Sequence, residues 1–246
     1  MINTYNESNL HLTLKKLYAL EYNGKTEQNV DNWICDIVTE KGDIIEIQTA
    51  NVSKLAKKTK TLLEKGRRVT IVYPIIIKKT IETYSIDGQL LSRRKSPKRA
   101  TIYSLFRELT GIYTVLLQDN FTLEVLFITV VEQRRKTSEP TQLNNKSRRF
   151  LKDWVPQGKF LEAIQAKQRF CSINDYAALL PAELTEPFNA SMLKKAISAL
   201  PEIQALSISN RNFAATQAHL MLWLYTRMDI LEEAGFRGRS KLYMRK

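Results

Sequence analysis

The segment WICDIVTEKGDIIEIQT holds the residues best placed to do chemistry. Strand residues two apart share a face, so Glu46 and Gln48 point together while Ile45 and Ile47 point the other way. Residues 40–43 read as a turn, and a hairpin loop with an odd number of residues around Gly42 sets Asp36 opposite Glu46 or Gln48. Two carboxylates and an amide oxygen then project together from strands otherwise made of Ile, Val, Trp and Cys. A carboxylate at the edge of an apolar core costs several kcal/mol unless it is paired, and a second one beside it raises that cost. A hard divalent cation with oxygen ligands relieves both. The plainer alternative is a pair of strand-end charges matched by lysines from the next helix.

The elements that position these groups follow from periodicity. Asn6 is a candidate cap for a helix over residues 7–21, with Leu10, Leu14, Leu17 and Tyr18 at helical spacing. Residues 53–65 form a second helix with Leu55, Leu62 and Leu63 inward and Lys54, Lys57, Lys58, Lys60 and Lys65 carrying the charge. Residues 69–77 read as a β-branched strand whose far end leaves the ladder at Pro74. Asp87-Gly88 between alternating segments signals a tight hairpin. Residues 92–99 read as a basic loop, 101–117 as a helix and 121–131 as a strand. The polar residues 133–155 read as a basic linker. Beyond it, helices are expected over 160–167, 173–180, 190–199 and 210–231, with Asn189 and Asn210 as caps, before a short terminal hairpin.

Asp36 followed by Glu46-Ile47-Gln48 resembles the Asp…(Asp/Glu)-X-Lys signature of PD-(D/E)XK, restriction-endonuclease-like nucleases. The helix–hairpin–helix–strand order over residues 5–77 is similar to that family's core, with residues 25–30 available for an intervening strand. The resemblance implies an α/β fold, a restriction-endonuclease-like mixed sheet flanked by helices, over residues 1–132. It implies Mg²⁺ or Mn²⁺ held by Asp36, Glu46 and the Ile47 carbonyl, with phosphodiester hydrolysis by a metal-activated water. Glu7 matches an acid the family often carries on its first helix. Gln48 stands where the family usually has Lys; it would orient the water, with Lys54 or Lys57 of the following helix supplying the positive charge. Residues 156–246 resemble, more weakly, a winged-helix module, giving a mostly helical C-terminal domain.

The chain carries 38 Lys+Arg against 25 Asp+Glu, a net +13, which attracts polyanions and above all nucleic acid. Arg93, Arg94, Lys95, Lys98 and Arg99 crowd around a Ser-Pro and suit phosphate contact. Arg237, Arg239 and Lys241 do the same in the terminal hairpin. Double-stranded DNA is the expected partner, and cutting both strands favours a homodimer. The run from His219 to Tyr225 reads as apolar all round and therefore buried, His219 included.

No apolar run reaches the roughly 20 residues that span a bilayer, and the start lacks a signal-peptide pattern, so the expected location is the cytoplasm. Cys35 and Cys171, far apart in sequence and with two histidines for company, make no zinc motif and read as buried thiols. No Walker glycine loop, GxSxG or HExxH occurs. A metal-dependent endonuclease is the leading expectation. A nuclease fold that binds DNA without cutting it is the runner-up, and a basic subunit docking an acidic protein is the third.

Overall fold

The computed structural model describes residues 8–143, 151–206 and 212–246. Ser8 accepts the His11 N–H and caps helix α1, Asn9–Glu21. The expected cap Asn6 and the candidate Glu7 lie outside the described residues. Leu10, Leu14 and Tyr18 are buried as the spacing requires, whereas Leu17 is exposed. Three strands follow as an antiparallel meander: β1 Lys25–Val30, β2 Trp33–Val38 and β3 Ile44–Ile47. The chain then passes through a 3₁₀ turn, Val52–Leu55, and helix α2, Ala56–Glu64, into β4, Val69–Tyr84, which runs parallel to β3.

β4 runs well past the expected stop at residue 77, straight through Pro74. The ladder explains this. The Val72 carbonyl accepts the Gln48 N–H on the β3 side, and in a parallel strand alternate residues bond to alternate sides. Pro74 therefore turns its missing N–H toward β3 just where β3 has ended, and no rung is lost.

Asp87-Gly88 does turn a hairpin, with Gly88 at φ +87, into β5, Leu90–Lys95. The expected basic loop is thus a fully exposed edge strand over its first residues. The single helix expected over 101–117 is broken into a 3₁₀ turn, Ile102–Leu105, helix α3, Phe106–Leu109, and a 3₁₀ turn, Tyr113–Val115. Gly111, between the last two of these, permits the close approach of Ser53: a Cβ there would sit 2.5 Å from the Ser53 Cβ.

Two expectations fail in the next stretch. β6, Phe121–Thr141, and β7, Lys152–Phe170, are long antiparallel partners, so the described part of residues 133–155 is sheet and not linker. Cross-strand pairing lets so polar a ribbon form: Arg134 stacks on Trp154 at 3.8 Å, and Lys136 pairs with Asp153. The helix expected over 160–167 is also strand. Register shifts skip Glu162 and Gln165, so Leu161 and Ile164, three apart, both pack on the α1 side. Bulges had mimicked a helical period.

The result is one mixed sheet, ordered β1-β2-β3-β4-β6-β7 with β5 also on β4, flanked by helices. Its class is α/β. One face carries α1, whose Leu10, Leu14 and Tyr18 pack on Ile37, Ile45, Ile47 and Val72. The other carries α2, α3 and the C-terminal helices α4 Ile173–Ala177, α5 Ala190–Ala199, α6 Pro201–Gln204 and α7 Phe213–Arg227. Asn189 caps α5 as expected, while Asn210 lies outside the described residues. A terminal hairpin, β8 Leu231–Arg237 and β9 Ser240–Arg245, closes the chain, and a Phe188–Tyr243 bridge ties it back.

These C-terminal helices share the sheet's core. Tyr103 donates to the Leu179 carbonyl at 2.9 Å, and the Phe106 and Tyr225 rings meet edge-on at 5.5 Å. Within α7, Met221, Leu222, Leu224 and Tyr225 are buried, but His219 is exposed and Trp223 is 38% exposed. The run is therefore not apolar all round. Cys35 is buried and Cys171 exposed, and both are free.

Candidate active site

The connection between β2 and β3 has five residues, with Ile37 facing Ile45 and Val38 facing Ile44. This odd count carries Asp36 opposite Glu46. The regular ladder stops one pair short of them. In its place the Asp36 carboxylate accepts the Ile47 N–H at 2.9 Å, and Glu46 Oε1 accepts the Asp36 N–H at 3.3 Å. Each acid substitutes for a missing rung, so the strands part at this point. On the other flank of Asp36, Glu27 holds φ +54. A non-glycine residue there costs of order 1 kcal/mol, and such strain gathers at functional sites.

Glu46 has only 4% of its side chain exposed. Lys58 Nζ lies 2.6 Å from Glu46 Oε1 and donates to the Ile34 carbonyl at 2.6 Å. Burial pushes the Glu46 carboxyl up to about 7; Lys58 opposes the shift, and the charge of Asp36 adds to it. Burial also acts against the Asp36 anion, but hydrogen bonds from His11 and the Ile47 N–H outweigh it and hold Asp36 below its ordinary value. His11 Nε2 stands 3.4 Å from Asp36 Oδ2. α1 supplies His11, the meander supplies both acids, and α2 supplies Lys58.

Gln48 sits beside this cluster in another role. Its backbone N–H bonds the Val72 carbonyl, and its side-chain amide donates to the carbonyls of Ala50 and Asn51. That braces the turn leading to α2. Lys54 and Lys57 are exposed and make no ion pair with either acid; the lysine brought to the acids is Lys58. Its signal was Leu55 and Leu62, three residues before it and four after it, which place Lys58 on the buried stripe of α2. His11 shares a helix face with Leu14 and so could have been placed over the sheet in the same way.

Among the described residues no three His, Cys, Asp or Glu side chains gather as a metal cage. Asp36 and Glu46 with main-chain oxygen are a hard donor set of the kind Mg²⁺ takes. The state of Glu46 tests the fit. One ammonium at 2.6 Å does not offset burial plus the neighbouring anion. Glu46 therefore stays above its ordinary carboxylate range despite Lys58.

Of the basic candidates, Arg93 pairs with Glu82 at 3.5 Å and Glu162 at 3.8 Å. Arg94 and Lys95 on β5, with Lys98 and Arg99 after it, are exposed and make no ion pair among the described residues. Arg237 and Arg239 are exposed at the tip of the terminal hairpin, while Lys241 is bound to Glu233 at 2.6 Å. No described helix is long and apolar enough to cross a membrane.

The family described as "Domain of unknown function (DUF8091)" matches residues 8–171, from the cap of α1 just past the end of β7. The matched span includes Asp36, Glu46, Lys58 and His11. The chain is also 28% identical, over 244 residues, to a Treponema pallidum (strain Nichols) protein described as "Uncharacterized protein", covering 98% of this chain and 86% of the relative. No solved structure matches.

Proposed function

We propose that this chain, which belongs to the DUF8091 family, is a metal-dependent nuclease that hydrolyses phosphodiester bonds, with DNA as its substrate. The observation that carries the reading is the meeting of Asp36 and Glu46 where β2 and β3 part, with Lys58 2.6 Å from Glu46. The order of elements supports it. A helix, a three-stranded meander, a second helix and a strand parallel to β3 is the arrangement that the PD-(D/E)XK resemblance calls for. Four C-terminal helices and a hairpin bridged through Phe188 and Tyr243 likewise support a winged-helix-like module.

Asp36 and Glu46, with the Ile47 carbonyl, would hold Mg²⁺ or Mn²⁺. The cation, when bound, lowers the pKa of a water and offsets charge on the phosphoryl oxygens. Lys58 is anchored by Glu46 and the Ile34 carbonyl, so its charge is fixed beside the acids and available to developing negative charge on a substrate phosphate. It takes the part expected of the motif lysine. His11 and the Ile47 N–H hold Asp36 ionised and oriented. Gln48 keeps the loop in the path that delivers α2. Arg94, Lys95, Lys98 and Arg99 offer phosphate contacts away from the acids.

The test is cleavage of supercoiled plasmid with Mg²⁺ or Mn²⁺. Nicking that stops with chelator and falls by about 10²–10³ or more in Asp36→Ala, Glu46→Ala and Lys58→Ala is expected. Cleavage persisting in both acid variants would overturn the assignment. A second reading, a nuclease fold that binds DNA without cutting it, is favoured by the engagement of the Gln48 amide with the loop carbonyls. Salt-sensitive DNA binding with no cleavage in either metal would select it.

A further inference from the structure

A groove of about 690 Å³ lies between α5, α7 and the terminal hairpin. That volume is in the range of pockets that hold small organic ligands. α7 contributes His219, Trp223 and Arg227, spaced four apart and so aligned along one face. α5 contributes Lys194, and the hairpin contributes Glu233 and Lys241. Glu233 and Lys241 are bound to one another at 2.6 Å. Lys194 and Arg227 are exposed and make no ion pair among the described residues, so two positive charges remain uncompensated.

Arg227 is held in place. Its guanidinium carbon lies 3.8 Å from the centroid of the Trp223 ring, and Nη1 donates to the Trp223 carbonyl at 3.2 Å. Trp223 is itself braced edge-on by Tyr113, with centroids 5.3 Å apart at 80°. The groove thus presents a flat guanidinium–indole stack, fixed before any ligand arrives, beside a second free cation. Planar aromatic groups stack on guanidinium and indole faces, and phosphates take the charges.

We infer that this groove binds one or two nucleotides of a single-stranded nucleic acid. A base stacks on the Arg227–Trp223 platform, and Lys194 reaches the adjoining phosphate. Bases within a duplex are stacked on one another and offer no free face, so the groove selects unpaired strand. The inference is independent of the carboxylate cluster. A free nucleotide shares the chemistry, and the test separates the two sources.

The experiment uses the full chain carrying Glu46→Gln, so that binding is read without cleavage. Anisotropy of a fluorescein-labelled 12-mer of deoxythymidylate is followed at low salt. Lys194→Glu and Arg227→Ala are each expected to weaken binding about fivefold or more, and together more than tenfold, with melting temperatures unchanged. Indole emission should fall on binding, and that component should vanish in Trp223→Phe. Unchanged affinity in both charge variants overturns the site. Equal binding of a blunt duplex of the same length, or of thymidine monophosphate, overturns the assignment to single strand.

Discussion

Glu46 and Glu132 are both buried carboxylates with a lysine against them: Lys58 at 2.6 Å and Lys79 at 2.5 Å. The third neighbour differs. Beside Glu46 it is Asp36, another acid; beside Glu132 it is Arg134, a second cation at 2.5 Å. Burial opposes ionisation in both. At Glu132 the hydrogen bonds from Lys79 and Arg134 overcome it and lower the pKa, whereas at Glu46 burial and Asp36 prevail and raise it to about 7. One cluster is charge-complete and braces the β4–β6 ribbon. The other keeps a like-charge neighbour and a burial penalty that its one lysine does not cancel. A buried ion pair by itself therefore marks neither stability nor function; the sign of the third charge separates them.

The contrast is open to attack by substitution. Lys58→Met leaves Glu46 buried with no cation and is expected to cost about 3–5 kcal/mol in urea melts at about pH 9, above the raised pKa of Glu46. The loss should shrink at acid pH, where Glu46 takes a proton. Lys79→Met, with Arg134 still in place, should cost well under half as much; equal losses would erase the distinction. Next in size is the response to metal. Mg²⁺ at about 100 times its Kd should stabilise the chain by about 2.7 kcal/mol, read as a rise in Tm. The rise should disappear in Glu46→Gln and survive in Glu132→Gln.

The pH dependence sharpens the comparison further. The folded pKa of Glu46 is raised, so its contribution to stability is full below its ordinary value of 4.5 and is lost as pH climbs through about 7. That limb should amount to about 1–3 kcal/mol and flatten in Glu46→Gln. The folded pKa of Glu132 is lowered, so its contribution is present above its ordinary value and is lost as pH falls through the folded one. Denaturant melts across this range should show the acid limb flattening in Glu132→Gln. The smallest effects belong to Lys54→Ala and Lys57→Ala. Both should leave stability within about 0.5 kcal/mol and plasmid cleavage within a few-fold.

Asp36 and Glu46 were legible because strand alternation and the parity of a short loop are local geometry. Lys58 was not, since it stands among five lysines of residues 54–65 and a charged side chain is by default assigned to water. Only its place between Leu55 and Leu62 gives it away. β7 was misread for a different reason. Its bulges at Glu162 and Gln165 are dictated by pairing with β6, a partner distant in sequence, and no window along the chain holds that information. The C-terminal helices were legible through caps such as Asn189. Their union with the sheet depends on Tyr103, Phe106 and Tyr225, residues too far apart for periodicity to connect.

Pro74 has a wider effect than its single position suggests. A residue with an amide hydrogen there would offer the chain after Ile47 one more rung and invite β3 to zip onward along β4. Proline withholds that donor. Residues 48–51 are left to veer off the sheet, which is what swings α2 across and brings its lysine over the acids.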